Sequence, residues 1–200
     1  MIEEIIKVWK STDWDYRDYY DERDPNSGRR DLLVDYYQMK YAVAHVLRPR
    51  AILEEGVRAG YSAIAFLNGT VDSTDLVYRG WDNNTDWHGG YVGAIDHARK
   101  ILEPYDAQIM VCDSKLQTCT PLPGGFDMMH IDGCQDHEGT RHNLDLGLRC
   151  NIKWLVVDGM YWTEANLGAC HKWLKDNIKS IEWYGVIPGM AGELIIKTHD

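Results

Sequence analysis

From Ala51 onward the apolar positions of this chain fall in short runs separated by longer amphipathic stretches. Runs at Ala51–Leu53, Leu76–Tyr78, Gln108–Val111, Phe126–Ile131, Trp154–Val157, Ile181–Val186 and Glu193–Lys197 predict seven strands. Between several of them, Ser62–Asn68, Val92–Leu102, His137–Leu148 and Trp162–Asn177 carry helical spacing. Strands that alternate with helices of this length form βαβ units, and so a mainly parallel sheet covered on both faces. The last two runs are joined only by Pro188-Gly189-Met190-Ala191-Gly192. That is too short for a crossover helix, so an antiparallel hairpin is expected there.

Ahead of the first strand, Asp31–Leu47 has the apolar spacing of a helix, stopped by Pro49. The stretch from Trp9 to Arg30 is aromatic and polar without a clean 3.6 period and closes in a Pro25-Asn26-Ser27-Gly28 turn signal. It reads as a cap or lid presenting Trp14, Tyr16, Tyr19 and Tyr20. The expected organisation is one domain over 1–200, with 1–48 as cap and helix and 49–200 as core; a 200-residue chain can bury such a core without disulfides or metal staples.

Charge narrows the partners. A formal net charge of −10 with no Lys/Arg-rich run argues against a nucleic-acid backbone or an anionic membrane surface, and for a small molecule or another protein. The opening MIEEIIKVWK has two glutamates where a secretion signal is basic, and no apolar run approaches the ~20 residues that span a bilayer. A cytoplasmic location is expected. The five cysteines, Cys112, Cys119, Cys134, Cys150 and Cys170, contain no CxxC pair, so neither a disulfide framework nor a thiolate zinc site is indicated. Twelve tyrosines and eight tryptophans against two phenylalanines suit a ligand cleft or a subunit contact, since both rings combine an apolar body with a polar tip. A homodimer is the expected assembly.

In a doubly wound sheet, ligands sit outside the carboxyl ends of the strands, where strand order reverses. The first strand runs into LEEGVRAGYSA, where Gly56 and Gly60 permit a tight turn before a helix. It is not the GxGxxG of dinucleotide-binding dehydrogenases. Glu54 is read as an acid at the strand's end, set to accept hydrogen bonds rather than to bury itself. Acids follow the later strands too: Asp82 after the second, where a carboxylate can accept from ribose hydroxyls, Asp113 with Ser114 after the third, Asp132 after the fourth and Asp158 after the fifth. Such a series is costly through desolvation and mutual repulsion, so a polar ligand or a cation is expected among them. Trp81, Trp87 and Trp162 fall in loops on the same side.

The motifs LEEGVRAGYSA, FDMMHIDG with the following HEG, and KWLVVDG resemble those of class I S-adenosylmethionine-dependent methyltransferases, of the catechol O-methyltransferase-like and cephalosporin-hydroxylase-like groups. The resemblance runs from about Ala51 to Tyr161 and implies a Rossmann-like sheet and a methyltransferase activity toward a small-molecule acceptor. Carried over by position, Glu54, Gly56, Gly60, Tyr61 and Ser62 line the methionine part of S-adenosylmethionine, and Asp82 holds the ribose with Asn83 beside it. Asp113 and Ser114 border the adenine, and Asp132 lies near the reactive end. The resemblance also implies a divalent cation such as Mg²⁺ in many members, here at Asp132 and Asp158.

The chain departs from that pattern in three places. Gly159 stands where the family has Asn or Asp. Gln135 stands where it has a Lys or His base, leaving His137, His142 or His88 to take a proton. Glu55 replaces an apolar residue. A non-catalytic protein that binds the same cofactor is the alternative. A hydroxylase is the third reading, but no two-histidine, one-carboxylate iron triad falls on matching strand ends.

Overall fold

The computed structural model describes residues 1–70, 75–83, 90–112 and 125–199. Seven strands form one sheet: β1 (Ala51–Glu55), β2 (Val77–Asp82), β3 (Asp106–Val111), β4 (Met128–Ile131), β5 (Trp154–Val157), β6 (Ile181–Ile187) and β7 (Glu193–Thr198). Their order is β3-β2-β1-β4-β5-β7-β6. The first five pair in parallel, and β7 runs antiparallel to both β5 and β6. The expected mainly parallel sheet and terminal hairpin are therefore what the chain forms. Strand order reverses between β1 and β4, so the turns that follow those two strands open side by side.

Among the described residues six α-helices cover the sheet: α1 (Ile2–Ser11), α2 (Val34–Leu47), α3 (Tyr61–Gly69), α4 (Ala94–Leu102), α5 (His137–Arg149) and α6 (Glu164–Asp176). Period-2 alternation sorts the strand residues between two cores. Ile52, Tyr78, Met128, Val156 and Ile195 face one core with α1, α2 and α3. Leu53, Met129, Leu155, Leu194 and Ile196 face the other, with Leu144 of α5 and Trp173 of α6. The predicted helices land within a few residues of their observed ends. α6 starts late because Thr163 is its N-cap, its Oγ1 accepting from the Asn166 N–H at 3.0 Å.

Two placements differ from expectation. The start of the chain, to which the sequence reading assigned no element, is helical: Ile2, Ile5, Ile6 and Trp9 recur at helical spacing and make α1 an amphipathic helix with Ile5 and Trp9 buried. Trp81, expected in a loop on the ligand side, lies within β2 and packs in the core beneath α5 and α6. No helix among the described residues is long and apolar enough to cross a membrane.

α1 is held to α2 through Trp9, whose indole N–H donates to the Asp35 carbonyl at 2.7 Å. Trp9→Ala is expected to cost ~3–5 kcal/mol of folding stability, as for other buried Trp truncations. Trp9→Phe, which keeps most of the packing and loses one hydrogen bond, should cost only about 1 kcal/mol more than any volume change. Urea unfolding midpoints of the two variants measure both.

Candidate functional site

The turn after β1 is shaped by close approach. Gly56 has φ +92°, and a Cβ there would overlap the backbone carbonyl of Asp132, so only glycine lets the β1–α3 and β4–α5 turns close on each other at the reversal point. The Gly56 N–H donates to the Trp81 carbonyl at 2.8 Å, and the Asp132 N–H to the Glu55 carbonyl at 2.8 Å. Gly60, also left-handed at φ +82°, opens α3. Asp82 at the end of β2 is joined to the same turn, its Oδ2 accepting the Arg58 N–H at 2.7 Å. Gly56, Gly60, Asp82, exposed Asn83 and Asp132 thus share one sheet edge; Asp113, Ser114, Trp87 and His88 lie outside the described residues. Glu55 finds its account here: its Oε2 accepts the Gly133 N–H at 3.0 Å, so the acid caps backbone in the turn after β4.

The N-terminal segment lies over this turn. Tyr61 is buried, and its ring sits 5.3, 5.7 and 5.6 Å from those of Tyr16, Tyr20 and Tyr37. Its hydroxyl accepts the Asp21 N–H at 3.0 Å, while Tyr91 donates to the Asp21 carboxylate at 2.8 Å. Arg58, next to the glycine turn, reaches back to Asp24 with an Nη2···Oδ1 distance of 2.5 Å. The aromatic stretch therefore folds as a strap over the sheet edge, anchored by hydrogen bonds at both sides of the turn.

Glu54 corrects the sequence reading. It is wholly buried and faces α2 and α3, not the open edge. Its Oε1 accepts from Ser62 Oγ at 2.5 Å and from His130 Nδ1 at 2.7 Å, and its Oε2 accepts the Tyr78 hydroxyl. Ser62 is likewise turned into this core contact. The β1–β4 register puts Glu54 beside His130, so the two side chains leave the same face of neighbouring strands.

Beyond His130 the cluster grows. Lys40, at 0% exposure on α2, donates from Nζ to Asp158 Oδ1 at 2.7 Å and to both Glu193 oxygens at 2.9 Å, and touches His130 Nε2 at 2.8 Å. Tyr36, one turn earlier, donates its hydroxyl to Asp158 Oδ1 at 2.5 Å. Burial alone would push the Lys40 ammonium toward losing its proton, but the Asp158 and Glu193 carboxylates outweigh it and raise its pKa. Burial and the Lys40 charge also oppose protonation of His130, while hydrogen bonds to Glu193 and Glu54 favour it. An imidazolium, however, would set two donors head-on across 2.8 Å, which is a hydrogen-bonding distance. With Lys40 charged against two carboxylates, Nε2 is the acceptor and the neutral ring carries its proton on Nδ1, toward Glu54.

Asp158 carries the cluster to the sheet edge. Its Oδ2 and the Oδ1 of Asp132 both accept from the single Gln135 amide nitrogen at 3.2 Å, and the same nitrogen lies 3.4 Å from the Asp158 carbonyl. Burial and the Asp158 charge hold the Asp132 carboxyl well above the usual range. For Asp158, burial works the same way but Lys40 overrides it and the carboxyl stays well below. Gly159 and Gln135, two of the three departures from the resembled pattern, meet in space: a Cβ on Gly159 would stand 2.9 Å from the Gln135 amide nitrogen. The Gly159 turn is held by Asn166, which donates to its carbonyl at 2.8 Å.

Of the three candidate proton acceptors, His137 and His142 are among the described residues. His137 is exposed at the first residue of α5, and His142 is half-buried one turn on, its Nε2 with no hydrogen-bond partner among the described residues. The implied divalent cation does not fit this donor set. Asp158 already accepts from Lys40, Tyr36 and Gln135, Asp132 shares the Gln135 amide, and Gly159 brings no side-chain ligand. His130, Asp158 and Glu193 also converge within 4.8 Å of one another, but the Lys40 ammonium bonds all three.

Solved structures share this architecture. A methyltransferase of Podospora anserina, solved with SAH bound, is similar at a TM-score of 0.63 and 16% identity over 99% of this chain and 88% of that one. An O-methyltransferase of Bacillus cereus in complex with SAH gives 0.58 and 14% over 99% and 90%. The O-methyltransferase TomG of Streptomyces achromogenes, involved in tomaymycin synthesis and solved with SAM, gives 0.60 and 15% over 99% and 90%. No family model and no curated protein matches the chain. At these identities the likeness establishes the fold, which is the methyltransferase fold.

Sequence reading missed Lys40, His130, Glu193 and Tyr36. The signal was present as polar residues at inward positions: Glu54 shares a face with Ile52, His130 with Met128, Glu193 with Ile195, and Lys40 follows Tyr36 by one helical turn. Removing the ammonium strands two buried carboxylates, so Lys40→Met is expected to lose ~3–5 kcal/mol. Lys40→Met combined with Glu193→Gln should lose markedly less than the two single losses added together, a coupling that guanidinium denaturation of the four proteins resolves.

Proposed function

We propose that the protein transfers the methyl group of S-adenosylmethionine to an oxygen of a small-molecule acceptor. The observation that carries this reading is the reversal-point edge, where the Gly56–Gly60 turn is hydrogen-bonded through Arg58 to an acid at the end of β2. Those residues fit the cofactor: Gly56 and Arg58 keep partial exposure in the turn, and Asp82 offers a carboxylate to ribose hydroxyls with Asn83 beside it. Asp113 and Ser114 border the adenine in this reading, and Glu54, Tyr61 and Ser62 support the turn from below through the contacts described above. When bound, the cofactor supplies an activated methyl on a sulfonium sulfur.

The remaining work falls to the chain. Methyl transfer is an in-line displacement that gains mainly from positioning and from a deprotonated nucleophile. The N-terminal strap excludes water from the edge, and Trp162, 64% exposed after β5, is available to an acceptor. Asp132, whose second oxygen is not committed to Gln135, takes the acceptor's proton, with His137 the competing base at the mouth. Gln135 fixes Asp132 rather than taking a proton itself. No step is routed through a metal. We place this activity in the cytosol, in one domain over 1–200 that pairs as a homodimer, with no nucleic acid or membrane partner.

A second reading, a non-catalytic protein that binds the same cofactor, is favoured by one observation: among the described residues, neither His137 nor His142 hydrogen-bonds to Asp132 or Asp158. Calorimetric titration with SAH tests what the two share. Micromolar binding is expected, weakened about 10- to 100-fold in Asp82→Ala through loss of charge-assisted hydrogen bonds. An acceptor screen with tritiated methyl donor then separates them, because turnover lost in Asp132→Asn or His137→Gln exists only in the enzyme.

A further inference from the structure

The acids after β4 and β5 approach each other at the reversal point, and two carboxylates so placed are relieved by a positive partner or by a retained proton. In this chain both the charge and the bridge come from protein. The charge is Lys40, fully buried, with Nζ at 2.7 Å from Asp158 and 2.9 Å from Glu193. It is held in place from below by His130, itself hydrogen-bonded to Glu54. The bridge is Gln135, whose amide nitrogen stands 3.2 Å from each of Asp132 Oδ1 and Asp158 Oδ2. The space for that amide exists because residue 159 has no side chain: a Cβ there would lie 2.9 and 3.0 Å from the two amide heteroatoms. Gly159 adopts φ +61°, a conformation that suits glycine.

We propose that Lys40 and Gln135 together are a resident substitute for a divalent cation, so that the Asp132–Asp158 pair is charge-compensated at Asp158 and bridged by the protein itself and takes no metal while both side chains are in place. Lys40 supplies the positive charge that a cation would bring to Asp158. Gln135 spans the carboxylates and sets their separation. Gly159 is the complementary vacancy that admits the amide and withholds a third oxygen ligand. This assignment concerns the carboxylate pair alone and stands whether or not methyl transfer is the reaction.

Mn²⁺, a paramagnetic cation that oxygen ligands bind readily, is the probe. Electron paramagnetic resonance titration of the wild-type protein should show no stoichiometric Mn²⁺, and its melting temperature should not move with EDTA or with added Mn²⁺. Stoichiometric Mn²⁺ in the wild type, lost in Asp132→Asn, would overturn the proposal. Lys40→Met/Gln135→Ala should acquire one Mn²⁺ per chain; the double variant folded but silent toward Mn²⁺ also overturns it. If the double variant does not fold, Gln135→Ala alone decides, since it alters only a half-buried side chain at the edge. Its melting temperature should fall by a few degrees and be restored by Mn²⁺ but not by Na⁺. A Gln135→Ala protein that melts with the wild type, or whose loss Mn²⁺ does not restore, contradicts the assignment.

Discussion

A lysine ammonium cut off from water survives only where carboxylates replace its hydration completely, and the ordering of this molecule's functional edge follows from meeting that demand at Lys40. Its three protons are directed at Asp158, Glu193 and His130, which belong to or follow β5, β7 and β4. One side chain of α2 thereby fixes the helix against three strands, including the antiparallel β7. Nonpolar packing could hold α2 as firmly. It would not determine where Asp158 points, and that orientation is what the sheet edge uses.

From Lys40 the constraint propagates outward through hydrogen bonds of fixed direction. His130 passes it to Glu54, and Glu54 to Ser62 and Tyr78 beside the glycine turn. Asp158 passes it to Gln135 and so to Asp132. Both turns that flank the reversal point are thus supported by a single buried polar network, while the tyrosines of the N-terminal strap close over them. Buried networks of this kind are costly when any member is missing and rigid when all are satisfied. A site that works by positioning benefits from that rigidity.

Much of this was legible in the sequence. The seven strands, the C-terminal hairpin and the glycine turn followed from period, length and the short Pro188–Gly192 connection. Asp82, Asp132 and Asp158 were found because acids at strand ends are conspicuous. Glu54 was misplaced by the same rule: it ends an apolar run, but its position two residues after Ile52 puts it on the inward face. α1 escaped because its glutamates drew attention from the Ile2, Ile5, Ile6 and Trp9 stripe. Lys40 was hidden for a deeper reason. A lysine among tyrosines and alanines in a helix is ordinarily solvated, and its burial depends on carboxylates that lie 118 and 153 positions away in the chain. The expectation of a polar ligand or a cation among the acids rests on their mutual repulsion, and Lys40 supplies a positive charge to Asp158 and Glu193.

The most direct test of this account is a crystal structure of the protein grown with S-adenosylhomocysteine and a divalent salt. The account predicts the ligand along the Gly56–Gly60 turn with its ribose on Asp82, and the Gln135 amide still between Asp132 and Asp158 with Lys40 behind it. A ligand bound away from that edge, or an ion coordinated between the two carboxylates, would contradict it.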